Sequence, residues 1–286
     1  DRASTSSCVD TASRGPTPTR TDTVHTVVVI LSRLRPSSVG WAVSRLVMSA
    51  FGPARWPGLV FQKVLGSGEQ GGFGLKPGLD HQGLFTAFDS PDAADHFLEN
   101  SPQVKAYQDR SEDFFAAVLR PVSSRGQWSG FELKPPETNP PADPSPSLNA
   151  SDGLEHPVAS LTRASIRPLK ARRFWAQSPD AEDDLAQAQG CILAVGLGEA
   201  PLLRQATFSL WKSQAAMDAY ARSGAHQRAI QAAYGQRFFS ESMFVRFHPL
   251  RFKGQWRGQQ FGDPQATNRP ERTNSGPPPF RQAPSG

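Results

Sequence analysis

One histidine in this chain sits where it could do chemistry. His226, Ile230 and Ala233 fall at i, i+4 and i+7 of a helical pattern from Ala225 to Tyr234. They share one face, while Gln227, Arg228 and Gln231 point elsewhere. A neutral imidazole on an otherwise apolar face reads two ways: a core histidine with one hydrogen bond, or an axial ligand to haem iron. His25 and His156 border predicted strands, His81 falls in a predicted loop and His96 lies on another helix. No Ser-His-Asp order, nucleophile elbow or Cys/His cluster with zinc spacing occurs. The run Gly66-Ser67-Gly68-Glu69-Gln70-Gly71-Gly72-Phe73-Gly74 lacks the Lys-Ser/Thr of a phosphate loop, and no helix follows it directly. It reads as a loop with positive-φ turns or as a close backbone approach to a ligand. Arg163, Arg167, Lys170, Arg172, Arg173, Phe174 and Trp175 form a basic, aromatic cluster. Its aromatics fit helix packing as well as base stacking, and no RNP-like sequence accompanies them, so nucleic acid is not expected as a partner.

These residues need a scaffold, and Arg204 to Gly258 shows its plan. Gln205 to Trp211 alternates and predicts a strand, and Ser213 caps a helix over Gln214 to Ser223. Ser242 to His248 predicts another strand, and Lys253-Gly254-Gln255-Trp256-Arg257-Gly258 closes the unit. The same text occurs earlier. Thr86 to Phe97 aligns without gaps on Ser209 to Tyr220, and Arg125 to Gly130 aligns on Lys253 to Gly258. Gly66 to Glu69 matches Gly196 to Glu199, and Arg35-Pro36 matches Arg167-Pro168. Matched blocks in one order point to a duplicated domain, too long a repeat for a solenoid.

In the first copy, strands are predicted over Val24–Ser32, Leu59–Leu65, Leu84–Phe88 and Phe114–Pro121. Helices are predicted from Val39 to Ala50, and in pieces from Pro91 to Asp109. In the second copy, Val158–Thr162 and Cys191–Val195 join the strands above, with a broken helix from Pro168 to Gln187. The order βαββαβ is ferredoxin-like. The expected fold is therefore α+β: tandem ferredoxin-like units at residues 24–131 and 156–258. Their bare sheet faces pack together into a dimeric-type α/β barrel within one chain. A leader at 1–23, a Pro-rich linker at 132–155 and a tail at 259–286 are expected to be disordered.

The 286 residues carry a net charge of +5, with 26 prolines and 24 glycines. That charge suits an acidic protein partner or an anionic membrane surface. Cys8 and Cys191 lie far apart, so a disulfide framework is not expected and a reducing compartment is favoured. No apolar run is long enough to span a membrane as a helix.

Several stretches resemble the spheroidene monooxygenase family. They are Leu161 to Pro168 with Arg173-Phe174-Trp175, Gly196 to Pro201, Gln205 to Trp211, Gly224 to Ile230, and Ser123 to Gly130. The resemblance covers about Val24 to Gly258. It implies a haem-dependent ketolase that uses O2 and electrons from a reduced ferredoxin-type donor. The substrate would be an acyclic carotenoid, oxidised through a hydroxyl to a keto group. It implies a cytoplasmic protein, peripheral at a photosynthetic membrane. His226 would bind the iron, with Ile230, Arg163 and Arg167 beside the cofactor. A non-catalytic haem- or pigment-binding barrel and a cofactor-free ferredoxin-like oxygenase stay open as alternatives. Gln103 holds the first-copy position equivalent to His226, so one haem per chain is expected, in the second half.

Overall fold

β-branched and aromatic residues build the strands, and serine-proline pairs start two helices of the first half. The computed structural model describes residues 24–49, 52, 55–68, 71–72, 77–136, 156–175, 185, 188–200, 203–222 and 237–262. The first half runs β1 (Thr26–Leu34), α1 (Val39–Ser49), β2 (Leu59–Gly68), β3 (Pro77–Phe88), α2 (Pro91–Asn100), α3 (Pro102–Arg110) and β4 (Ser111–Gly126). The second runs β5 (Val158–Ile166), α4 (Ala171–Trp175), β6 (Cys191–Ala200), β7 (Arg204–Trp211), α5 (Gln214–Ala221), β8 (Phe239–Trp256) and β9 (Gln259–Phe261). Short 3₁₀ turns at Pro36–Ser38 and Pro168–Lys170 precede α1 and α4.

The Ser90, Ser101 and Ser213 side chains accept from the backbone N–H groups of Ala93, Gln103 and Ala216, capping α2, α3 and α5. Each such cap contributes about 1 kcal/mol by satisfying an amide that the helix leaves unpaired.

The strands lie in the order β4-β1-β3-β2-β6-β7-β5-β8-β9, and pairing of β4 with β8 closes the sheet. All ladders are antiparallel, so the fold is an α+β barrel of β1 to β8 with β9 at its rim. Within each half the order is the same: β4-β1-β3-β2 and β8-β5-β7-β6. The halves join along a long seam, from Phe115 opposite Gly254 to Gly126 opposite Met243, and at a short one, Gly66 opposite Gly198.

Alternation then sorts the side chains. Val27, Val29, Leu31, Leu65, Phe85, Phe115, Leu161, Val195, Phe208, Val245 and Phe247 fill the interior from both halves. Gly83 has no side chain because Leu197 needs the room: a Cβ there would stand 2.7 Å from Leu197 Cδ2. Outside, Val28, Ile30, Val64, Leu84, Phe88 and Val118 meet Phe97, Leu98, Val104 and Tyr107 of α2 and α3. Burying each such large side chain contributes about 2 kcal/mol.

Several expectations are corrected. Gly66-Ser67-Gly68 is strand rather than loop, and Gly66 lies at the short seam. His81 is buried in β3 rather than in a loop. β4 and β8 run past Pro121 and Pro249 because the ladder shifts register beside each proline, where a missing N–H is tolerated. Leu133 is buried and Lys134 donates its backbone N–H to His25 Nδ1 at 2.9 Å, so the linker begins packed. The tail likewise starts with β9, whose Phe261 packs edge-on to Phe115 at 4.8 Å. The expected leader, the centre of the linker and the rest of the tail lie outside the described residues.

Candidate functional site

The two halves differ most on the outer sheet face, beneath the helices. In the first half, Leu84 stands opposite Ile30 at the centre of that face, with Val64 and Ala116 on either side. In the second half the central pair is Thr207 opposite Thr162, flanked by Gly196 and Phe244. The neighbouring row is Ala194, Ser209, Ser160 and Arg246. The Ser160 and Ser209 hydroxyls bond to each other at 2.9 Å, and Trp211 Nε1 donates to Ser209 Oγ at 2.9 Å. These side chains are shorter than the large aliphatics at the matching positions of the first half.

Coverage differs too. Val28, Ile30, Leu84 and Val118 are fully buried, whereas Ser160, Thr162, Ala194 and Thr207 are only partly so. Among the described residues, the buried cluster outside the second sheet consists of Leu185, Trp211 and Met217, with Tyr220 of α5 against Trp211 at 5.3 Å. A floor of small side chains with polar spots would suit a flat apolar ring system that carries polar edges. Cys191 borders this cluster, and burial pushes its thiol up to about 11, so it is a packing group rather than a nucleophile at neutral pH.

A second cluster lies inside the barrel. By alternation with Leu193, Val195 and Leu197, Glu199 points inward, as do Lys63, Arg163 and Glu241 on their strands. Arg163, 2% exposed, is ion-paired to Glu241 and stands 3.5 Å from Glu199. Lys63 Nζ is 3.6 Å from Glu199, and Trp128 Nε1 donates to the same carboxylate. Trp128 also lies under the Arg163 guanidinium at 5.5 Å. Burial acts to raise the Glu241 carboxyl, but the backbone of Ser129, the Arg163 side chain and the Gly130 backbone outweigh it and hold its pKa below the usual carboxylate range. A polar cleft of about 440 Å³ opens beside Glu241, lined by Gly126, Gln127, Glu132 and Phe239 to Ser242.

The predicted site residues therefore separate. His226 and Ile230 lie outside the described residues. Arg167 is exposed at the start of the turn before α4, its backbone N–H bonded to Phe238 O at 2.8 Å. Arg163, by contrast, is buried between two carboxylates inside the barrel. The Phe174 ring meets Phe238 and Phe239, each at 5.8 Å, which is packing rather than a base-stacking platform. Gln103, the counterpart of His226, accepts from Gln62 Nε2 at 2.9 Å. Sequence reasoning missed Glu199, Glu241 and Lys63. The alternating run that ends in Glu199 held the signal for it.

No protein-family model matches the chain. Spheroidene monooxygenase of Rubrivivax gelatinosus is 47% identical over 247 residues, covering 86% of this chain and 91% of that protein. Spheroidene monooxygenase of Rhodobacter capsulatus is 35% identical, covering 82% of this chain and 93% of that protein. Among solved structures, an aldoxime dehydratase in complex with butyraldoxime has a TM-score of 0.49 at 10% identity, covering 80% of each chain. That likeness is too loose to carry an inference. The sequence relatives are decisive: this chain belongs to the spheroidene monooxygenase family.

Proposed function

We propose that the chain is a haem-dependent monooxygenase that oxidises an acyclic, spheroidene-like carotenoid, first to a hydroxyl and then to a keto product. Family membership makes it an oxidoreductase. The observation that supports a bound ring system is the small-residue floor of the second sheet, Thr162, Thr207, Ser160 and Gly196, against the filled floor of the first. Haem in that space would supply the iron at which O2 is activated with electrons from a ferredoxin-type donor. His226 is the proposed iron ligand: it follows α5 in the chain, and α5 packs on Trp211 at the border of that floor. Arg167 is the proposed partner of a propionate, its guanidinium being suited to a carboxylate. The first half, with its floor filled and Gln103 engaged by Gln62, serves as wall.

Two ferredoxin-like units, residues 24–131 and 156–258, are proposed to descend from one duplicated ancestor. The shared strand order and the matched sequence blocks support this.

An absorption spectrum of the purified chain tests the reading. A Soret band that responds to dithionite and carbon monoxide, lost in His226→Ala and kept in His96→Ala, is the expected result. His96 is exposed and lies over Trp56 at 5.3 Å, so its loss should leave the spectrum alone. Carotenoid oxidation by a preparation with no Soret band would overturn the haem assignment. Stable haem without turnover, given donor and substrate, would favour the pigment- or haem-binding barrel instead.

A further inference from the structure

We infer that the turn from Arg167 to Lys170, with α4, is a membrane-docking surface that recognises an anionic lipid bilayer. Leu169 at the tip of this turn is 102% exposed, a fully solvated leucine. Around it, Arg167, Arg172 and Arg173 are exposed and make no ion pair among the described residues. Lys170 reaches the carbonyl of Arg237 at 3.4 Å and so brings another exposed arginine to the same face. No Asp or Glu occurs in 163–175 or 237–240. The nearest carboxylates along the strands, Glu199 and Glu241, are turned inward onto Arg163.

The surface is built rather than loose. Arg167 N–H is bonded to Phe238 O at 2.8 Å, and Phe174 packs on Phe238 and Phe239, which holds the other side of α4 outward. The equivalent first-half turn, Pro36-Ser37-Ser38, carries serine where the second carries Leu169. An acidic protein would satisfy the arginines but gives no reason for a bare leucine at their centre. A bilayer satisfies both: Arg172, Arg173 and Arg237 sit among anionic headgroups while Leu169 enters the acyl boundary. The inference rests on the carotenoid reading only for why a bilayer is useful, since such a substrate dissolves in lipid.

Flotation of the full chain with vesicles tests it, comparing phosphatidylcholine alone with an equal mixture of phosphatidylcholine and phosphatidylglycerol. Binding to the anionic vesicles only, weakening as salt rises, is expected because exposed charges are screened over about 8 Å at physiological ionic strength. Arg172→Gln and Arg173→Gln should each lower vesicle affinity roughly fivefold. Leu169→Asp should lower it roughly tenfold. Far-UV circular dichroism of all variants should match the parent. Equal binding by parent and Leu169→Asp, or no binding to anionic vesicles, overturns the inference. Retention on an immobilised acidic ferredoxin without vesicle binding overturns it in favour of a protein partner. Binding is scored without turnover, so a failed docking surface and a failed reaction assignment are told apart.

Discussion

Trp128 and Trp256 sit beyond opposite ends of the seam between β4 and β8, each buried in the barrel core. Trp128 follows Gly126, which pairs with Met243, and Trp256 follows Gly254, which pairs with Phe115. The backbones match as well. Gly126 and Gly254 have φ of 82° and 95°, Ser129 and Arg257 have 51° and 49°, and Gly130 and Gly258 have 76° and 80°. Trp128 packs on Phe85 at 5.1 Å and Phe61 at 5.6 Å, whereas Trp256 packs on His81 at 5.9 Å. One motif thus stoppers the barrel twice, with different neighbours.

Truncating either stopper should cost folding free energy. Trp128→Ala is expected to lose about 3–5 kcal/mol, the range for a fully buried aromatic. Gly254→Ala should also destabilise, since a Cβ there would collide with Phe114 O at a positive φ. Urea unfolding followed by tryptophan fluorescence and circular dichroism measures both. A Trp128→Ala protein with an unchanged midpoint would show that the stopper is not part of the cooperative core.

Arg163→Met should be as damaging as the loss of the stopper. It leaves Glu199 and Glu241 facing each other with less positive charge between them, and breaking a buried ionic group costs about 3–5 kcal/mol. Replacing Glu241 by Gln in the same chain removes one of the stranded carboxylates. The double variant should therefore recover part of the loss, and a double-mutant cycle on urea midpoints reads the coupling. Strict additivity would mean that the pair is not coupled.

Much of the strand plan was legible because alternation and β-branching are strong where one face is apolar, as in Val27 to Leu31 or Gln205 to Trp211. The start of β3 was not legible. His81, Gln82 and Gly83 are polar or bare because they meet Trp256, Tyr107 with Ala42, and Leu197 respectively, all distant in sequence. Arg163 misled for the same reason: in a string of arginines nothing local marks the one whose strand position turns it into the barrel. The small-residue floor was written in Thr162, Gly196 and Thr207. Its meaning appears only once strand pairing sets them side by side and Leu84 with Ile30 supplies the contrast.

The staple between β1 and the segment after β4 should be sensitive to acid. His25 Nδ1 accepts the Lys134 backbone N–H at 2.9 Å, which requires an unprotonated nitrogen. Burial and then the Lys134 charge lower the His25 pKa below 6.5. For a histidine with a depressed folded pKa, the unfolded chain binds the proton more readily. Its stabilising contribution is therefore complete above the unfolded value and is lost as pH falls through the folded one. His25→Phe should flatten the loss of stability that the parent shows as pH falls below about 6.5. An identical slope in both proteins would show that His25 does not carry the dependence.

Filling the floor of the second sheet tests whether the space above it is used. Thr162 and Thr207 face each other across β5 and β7, as Ile30 and Leu84 do across β1 and β3. Thr162→Ile with Thr207→Leu would give the second half the floor of the first. In a close-packed interior such a change costs about 1–3 kcal/mol through strain. Above a floor that keeps room for a ligand, the added methyl groups enter that room, and the cost should stay below about 1 kcal/mol. Haem content of the purified variant should then fall at least tenfold while its unfolding midpoint holds. The matched control, Ile30→Thr with Leu84→Thr, opens a space in the filled half and should lose stability without changing haem content, since those residues are buried against α2 and α3. If the filled variant keeps its haem, the ring does not lie on this floor. If it unfolds instead, the floor was already packed and the ligand must be sought elsewhere on the barrel.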